Sequence, residues 1–128
     1  MDHIRHVDFK ALGAGGDERN TVQSLLGHGS GATTCTISCI RTPVGSGSAA
    51  GLHTHTVDQI FYVLSGTMSV EVAGEIHEAD AGSLVIFPAG VPHRNWNGGS
   101  TPTVHLVFNT PLSDPAQPFA IPVDRDGA

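Results

Sequence analysis

Two histidines in residues 51–66 have a spacing that suits a metal ion. His53 and His55 are separated by a single residue in a segment that begins and ends with glycine. On a β-strand such residues point to the same face, about 6.6 Å apart at Cα, so their imidazole nitrogens can converge on one ion at about 2.0–2.1 Å from each. Gln59 follows after a short turn and can supply a side-chain oxygen as a further ligand.

A third histidine stands in a second short block, residues 82–97. Here an apolar segment ends in a turn that contains Pro88 and Gly90, and His93 follows directly. A turn of this kind reverses the chain and can direct His93 towards the first pair. The two blocks therefore predict one divalent metal ion per chain, held by His53, His55 and His93 with Gln59 as the fourth ligand.

The paired blocks resemble the two motifs of the cupin superfamily. The second motif, G(x)5PxG(x)2H(x)3N, is matched at every defined position, and the first is matched at its histidine pair and at Gly66, whereas Gln59 stands where the family usually has Glu. The resemblance implies a jelly-roll β-barrel or sandwich with the metal inside. The matching positions of the second motif are Gly82, Pro88, Gly90, His93 and Asn97.

A neutral glutamine in place of glutamate changes the expected chemistry of the ion. Three imidazoles and an amide leave its double positive charge uncompensated, which favours a Lewis acid and disfavours a trivalent state. Zinc is therefore the expected metal, with iron, nickel or manganese as alternatives. A second arrangement stays open, in which Gln59 only lies nearby and water or His105 completes the site.

Residues 53–64 also resemble the small cupin-type aromatic polyketide cyclases, including those of the tetracenomycin and resistomycin pathways. This resemblance implies an intramolecular aldol-type closure of a poly-β-keto chain or partly cyclised intermediate, presented by an acyl carrier protein. His105 is the candidate general base, with a metal-bound hydroxide as an alternative and Asp58 as a weaker one because it alternates with Gln59. The candidate pocket residues are Phe61, Val63, Met68, Phe87 and Trp96.

Two other classes of function remain open, because one fold supports many activities. The first is an iron or nickel dioxygenase acting on a small aromatic or thiol compound. The second is a non-catalytic domain that binds a small ligand. Arg94 and Asn97 are expected to support the structure rather than to take part in chemistry.

The two histidine blocks lie among short apolar segments. The chain contains sixteen glycines and eight prolines, which divide it into these segments. This pattern predicts an all-β single domain over residues 1–128 with almost no helix. Residues 12–31 are expected to be loop, residues 43–51 a rim loop or a plain connector, and residues 111–128 a proline-rich arm that can reach a neighbouring subunit. Strands are predicted at 33–41, 51–55, 59–64, 67–72, 75–78, 83–87, 93–96 and 103–109.

The composition and net charge of the chain limit the kinds of partner and the cellular location that can be expected. A formal charge of −6 with six Lys and Arg argues against a nucleic-acid surface, and no segment is apolar enough to be a signal peptide or a membrane span, so a cytoplasmic location is expected. Cys35 and Cys39 fall on one predicted strand, about 13 Å apart at Cα, too far for a disulfide. Residues 59–64 and 83–87 are apolar on both faces, which predicts a homodimer.

Overall fold

The computed structural model describes residues 2–124, which form one short helix and ten strands. The all-β prediction is therefore confirmed, and each predicted strand occurs with ends that differ by at most a few residues. The described helix is far too short to cross a bilayer. The elements are α1 (Phe9–Gly13), β1 (Thr21–Leu26), β2 (Thr36–Thr42), β3 (His53–Thr54), β4 (Asp58–Ser65), β5 (Thr67–Val72), β6 (Glu75–Asp80), β7 (Leu84–Phe87), β8 (His93–Trp96), β9 (Thr103–Thr110) and β10 (Ile121–Pro122).

The strands form two five-stranded antiparallel sheets. The first sheet has the order β1-β2-β9-β4-β7 and the second the order β10-β3-β8-β5-β6. The inner faces of the sheets meet in one apolar core, as expected for a jelly-roll sandwich. The core residues come from β4, β7 and β9 of the first sheet and from β5 and β6 of the second: Phe61, Val63, Met68, Val70, Ala79, Val85, Phe87 and Val107.

Strand β4 shows how the core and the site share one face. Its side chains alternate, so Gln59, Phe61 and Val63 are buried, whereas Tyr62 and Leu64 are 39% and 38% exposed. Gln59 therefore lies at one end of the apolar core, on the same face as Phe61. The sequence of β4 places a polar ligand directly beside an apolar interior.

The prediction that residues 12–31 are loop is wrong in part. Residues Thr21–Leu26 form β1, which pairs antiparallel with β2. This edge strand is hard to recognise because no residue in it is fully buried, so its apolar side chains do not alternate clearly. The short helix α1 lies against β1 and β2 and buries Leu12.

The described part of the proline-rich arm packs on its own chain rather than extending away from it. Ile121 pairs with Thr54, Pro122 pairs with His53, and the Val123 N–H donates to the Leu52 carbonyl at 2.9 Å. The arm thereby joins the second sheet next to a histidine of the first block. The part of the arm at 125–128 lies outside the described residues.

The two cysteines and the glycine of the first motif are arranged as the sequence predicts. Cys35 and Cys39 are both free thiols, which confirms that they form no disulfide with each other. Gly66 joins β4 to β5 at φ +79°, and a Cβ there would lie 2.7 Å from the Pro102 carbonyl oxygen. The glycine of the first motif is thus required by the backbone conformation and by close packing.

Candidate metal centre

Two sheets bring the predicted ligands together at one end of the core. His53 in β3 and His93 in β8 are direct cross-strand partners in the second sheet, and His55 follows β3. Gln59 approaches from β4 of the first sheet. All four side chains are buried.

The ligand atoms of these side chains lie close to one another. The three histidines offer nitrogens that all lie within 4.8 Å of each other. The His53 and His55 Nε2 atoms are 3.2 Å apart, and the His93 Nε2 atom lies 3.2 Å from Gln59 Oε1. His53, His55 and His93 can therefore hold a metal ion, and Gln59 lies within reach of the same position.

Hydrogen bonds to backbone carbonyls fix the orientation of each imidazole. The His53 Nδ1 atom lies 2.6 Å from the Gly51 carbonyl oxygen. The His55 Nδ1 atom lies 2.8 Å from the Phe119 carbonyl oxygen, and the His93 Nδ1 atom lies 3.0 Å from that of Val91. A carbonyl oxygen only accepts, so each Nδ1 carries the proton and each Nε2 keeps its lone pair. This is the usual arrangement behind metal-bound histidines.

A similar contact orients the amide of Gln59. Its Nε2 donates to Asn109 Oδ1 at 3.0 Å, and the Asn109 Nδ2 donates to Thr36 Oγ1 at 3.1 Å. The carbonyl oxygen of Gln59 is therefore the atom that faces the histidines. Four hydrogen-bond acceptors, namely three imidazole nitrogens and one amide oxygen, converge with no hydrogen-bond donor between them. A divalent metal ion would stabilise this arrangement.

Burial keeps the ligands in the form that binds metal. It lowers the pKa of His93 to about 4, assisted by the neighbouring His53 and His55, against the opposing effect of the hydrogen bond to the Val91 carbonyl. Burial also lowers the pKa of His55, although the Phe119 carbonyl partly offsets this. Both imidazoles are neutral near pH 7 and available as ligands.

A cavity of about 270 Å³ extends from this cluster between the two sheets. Its wall includes His53, His55 and Gln59 at the candidate metal centre, and Phe61 and His105 further along. Ile40, Val107 and Phe119 supply more apolar surface. No Asp, Glu, Lys or Arg among the described residues contributes to this wall.

Of the five predicted pocket residues, Phe61 lines this cavity and the other four lie elsewhere. Val63 and Met68 are in the apolar core and do not line the cavity. Phe87 is also a core residue, and its ring stacks on His93 with centroids 4.2 Å apart. Trp96 lies on the opposite face of β8 from His93 because side chains alternate along a strand, and its ring contacts the Arg94 guanidinium.

His105 lies in the cavity wall rather than beside the histidine cluster. Its ring is 4.4 Å from that of Phe61, and it is absent from the group of histidines whose nitrogens lie within 4.8 Å of one another. In this arrangement Gln59 Oε1, rather than His105, is next to His93 Nε2. His105 is accordingly placed to contact a bound molecule.

The remaining sequence candidates hold the structure together. Asp58 Oδ1 accepts from the Ala89 N–H at 2.9 Å, and Arg94 pairs with the buried Glu71 at 2.9 Å. Asn97 Nδ2 donates to two carbonyl oxygens, those of Thr42 and Thr101, at 3.0 and 2.8 Å. Asn97 thus joins the end of β2 to the loop before β9, in line with the structural role expected for it.

Sequence reasoning missed three residues at this site. Asn109 stands directly opposite Gln59 in the pairing of β4 with β9, so a correct register would have found it. Phe119, which stacks on His55 with ring centroids 4.2 Å apart, gave no signal because it belongs to an irregular arm. Asn20, which also lines the cavity, directly precedes β1, and β1 lies in the segment that was expected to be loop.

The fold and the histidine cluster are similar to those of a known protein family. Residues 41–109, more than half of the chain, match the Cupin domain family. This chain is a cupin. The resemblance stated from the two motifs is therefore confirmed, and the segment that matches the family contains all four candidate ligands.

Relatives of this cupin have diverse names. Germin-like protein 5-1 of rice, Oryza sativa subsp. japonica, is 30% identical over 116 residues, which are 81% of this chain and 52% of the rice protein. The polyketide cyclase RemF of Streptomyces resistomycificus is 23% identical with a TM-score of 0.69, covering 87% of this chain and 77% of RemF. The DMSP lyase DddQ of Ruegeria pomeroyi is 19% identical with a TM-score of 0.69, covering 87% and 55%.

These comparisons support the fold and leave the reaction open. At 19–23% identity the two enzyme structures are similar to this cupin in fold alone. The chain spans about half the length of the germin-like protein that it matches. A cupin fold by itself supports many different reactions.

Proposed function

We propose that this cupin is a metal-dependent cyclase that closes a ring by an intramolecular aldol-type reaction on a poly-β-keto intermediate of aromatic polyketide biosynthesis. The observation that carries this proposal is the uncharged set of four acceptors: three imidazole Nε2 atoms and the Gln59 amide oxygen. A divalent ion bound there, with zinc preferred, supplies a Lewis acid that polarises a carbonyl group. The likeness in fold to a polyketide cyclase is consistent with this choice.

The ligand set favours this chemistry over that of a dioxygenase. No carboxylate belongs to the candidate group among residues 2–124, so no negative charge is present to stabilise a trivalent ion. The carbonyl hydrogen bonds on Nδ1 hold the three imidazoles in place before substrate arrives. Apolar side chains such as Phe61 and Val107 limit the water that reaches the reacting carbons.

His105 is the proposed general base. Burial lowers its pKa to about 4, so its imidazole is neutral near pH 7 and one nitrogen has a free lone pair. That nitrogen can accept a proton from a methylene group between two carbonyls, which leaves a carbanion that attacks a second carbonyl carbon of the same chain. The carbonyl π bond breaks to give an alkoxide, and the protonated His105 returns its proton to that oxygen. The cavity, whose volume of about 270 Å³ is just below the usual range for ligand pockets, suits the reacting end of such a chain or a compact aromatic intermediate.

The deciding experiment supplies poly-β-keto chains from a minimal polyketide synthase on its acyl carrier protein, with and without this cupin, and identifies the rings formed. The zinc-loaded protein should change the ring pattern, whereas His93→Ala should lose both the metal and this effect. His77→Ala, which alters an exposed histidine of β6, is the matched control and should retain both. An altered ring pattern from metal-free His93→Ala protein would refute the metal-dependent mechanism.

The same preparations separate the competing functions. Oxygen consumption with bound Fe(II), and none with Zn²⁺, would indicate a dioxygenase. Tight binding of a small aromatic compound without any product would indicate a non-catalytic binding domain. Direct contact with the carrier protein belongs to the same proposal and can be measured as binding of the carrier protein in the absence of a chain.

We also propose that the protein is a homodimer. The outer face of the first sheet leaves large apolar side chains exposed where β4 pairs with the edge strand β7, namely Tyr62, Leu64, Leu84 and Ile86. Water contact with this patch is unfavourable, and a two-fold axis beside an antiparallel edge strand would cover it with the same patch of a second copy. Sedimentation should give a dimer that Leu84→Lys converts to a monomer, and a monomeric wild type would contradict the proposal.

A further inference from the structure

The cavity wall beyond the histidine cluster has buried polar atoms without protein partners. His105 is only 1% exposed, and neither of its ring nitrogens has a hydrogen-bond partner within residues 2–124. Asn20 lines the same cavity, and its Nδ2 donates to the Gly47 carbonyl at 3.4 Å. The buried Asn20 Oδ1 has no partner in the described part of the chain.

These atoms differ from the other unpartnered polar atoms of the described residues. Those others are the hydroxyl oxygens of Thr42 and Thr103, which are direct cross-strand partners in β2 and β9 and do not line this cavity. Buried polar groups are normally hydrogen-bonded, because an unpaired group loses its interaction with water without compensation. A ligand in the cavity can restore these bonds for His105 and Asn20 but not for the two threonines.

The chemistry of this wall limits the ligand to uncharged polar groups. A neutral imidazole offers one N–H donor and one lone pair, and Asn20 Oδ1 offers an acceptor. No side chain with a formal charge of its own joins the cavity wall among the described residues. Hydroxyl groups fit this combination, since a hydroxyl donates one hydrogen bond and accepts others, whereas a carboxylate could not donate to Asn20 Oδ1.

We propose that His105 and Asn20 form a subsite that recognises hydroxyl groups, and that the ligand is a compact, uncharged phenol or enol whose carbonyl group faces the histidine cluster. The subsite rests on the proposed function, because that function assigns the carbonyl group to the metal centre. A hydroxyl on the ligand accepts from the His105 N–H, and a hydroxyl donates to Asn20 Oδ1. The other nitrogen of His105 keeps its lone pair for the base role.

Two probes that differ by one hydroxyl group test this subsite. These are 2-hydroxyacetophenone and 2,4-dihydroxyacetophenone, which share the carbonyl end and differ in a hydroxyl at the far side of the ring. Calorimetric titration of the zinc-loaded full chain should show binding of the dihydroxy probe about tenfold tighter or more, since a site built for a hydroxyl leaves its own groups unpaired with the other probe. His105→Leu and Asn20→Leu should each abolish most of this preference.

Two controls separate recognition from general loss of structure. Thr42→Val removes a buried unpartnered hydroxyl outside the cavity wall and should leave the preference unchanged. Asn20 is only partly buried, so Asn20→Leu should fold even if His105→Leu does not, and the zinc content of every variant should match that of the wild type.

The outcomes distinguish this subsite from the function on which it rests. Equal binding of the two probes by the wild type would overturn the subsite while leaving carbonyl binding at the metal centre intact. A preference that survives both His105→Leu and Asn20→Leu would also overturn it. Binding of neither probe would contradict the proposed function itself, and the subsite with it.

Discussion

The polar atoms at the two ends of the cavity differ in whether the protein supplies their hydrogen-bond partners. At the histidine cluster every Nδ1 atom and the Gln59 amide nitrogen has a protein partner, and only the atoms that face the common centre stay open. At the other end neither nitrogen of His105 has a partner among the described residues. The protein therefore fixes the geometry of the first end in advance and leaves that of the second to the ligand.

This difference indicates separate roles for the two ends. A metal ion requires ligands at set distances and angles, which the surrounding hydrogen bonds provide. A side chain that must meet an organic molecule, and exchange a proton with it, has to keep its nitrogens free.

The largest expected effect concerns the unpartnered end and appears in the stability of the metal-free protein. Burial lowers the pKa of His105 to about 4 from the ordinary 6.5, so below pH 6.5 the unfolded chain takes up a proton that the folded chain does not. The free energy of unfolding should fall on acidification from pH 6.5 until about pH 4, with His105 contributing about 1.4 kcal/mol per pH unit. Denaturant titrations of His105→Leu should show a shallower fall over this range.

The core variant Val63→Ala is the control for this measurement. It should lower stability at all pH values without changing the slope, because it removes a buried methyl pair and no titrating group. Equal slopes in wild type and His105→Leu would mean that His105 has a partner in solution.

The next effect concerns the orientation of Gln59 at the ordered end. Asn109→Leu removes the acceptor that holds the Gln59 amide, so the amide can rotate and present its nitrogen to the ion. We expect zinc affinity to fall by about 10- to 100-fold, as for other residues that orient metal ligands. Competition with a chromophoric chelator measures this, and Thr36→Val, one bond further out, should have a smaller effect. Unchanged affinity in Asn109→Leu would remove Gln59 from the ligand set.

The smallest effect concerns His55 and the arm. Truncation after Pro118 deletes the Phe119 carbonyl that holds the His55 Nδ1 proton, together with the pairing of β10 with β3 beside His53, and water can replace these contacts only in part. Zinc affinity should fall by about tenfold. Phe119→Ala keeps the carbonyl while losing the stacked ring, so it should retain most of the affinity; an equal loss in both variants would assign the effect to the ring instead.

The sequence predicted the ordered end far better than the open end. His53, His55, Gln59 and His93 belong to two short blocks whose spacing resembles the two cupin motifs, so the resemblance predicted that these side chains meet although they come from two sheets. The all-β fold could be predicted because glycines and prolines mark the ends of short strands, and because buried and exposed side chains alternate within strands such as β4.

The open end depends on contacts between distant segments. Asn20 enters the cavity wall because β1 pairs with β2, and Phe119 enters it because the arm returns to β3. Neither pairing involves a strongly alternating strand. The division between core and cavity wall also escaped prediction, since Val63 and Met68 share the inward face with Phe61 but pack in the apolar core and do not line the cavity. Alternation gives the face of a residue and not which inward-facing residues line a cavity.

The arm gives the metal centre a dependence on the order of synthesis. The carbonyl that orients His55 belongs to Phe119, 64 residues further along the chain. Until that segment has been made and has folded back against the barrel, His55 lacks this partner. The C-terminal arm therefore completes the support of a ligand that belongs to the first histidine block, so full affinity for the ion should arise only with the arm in place.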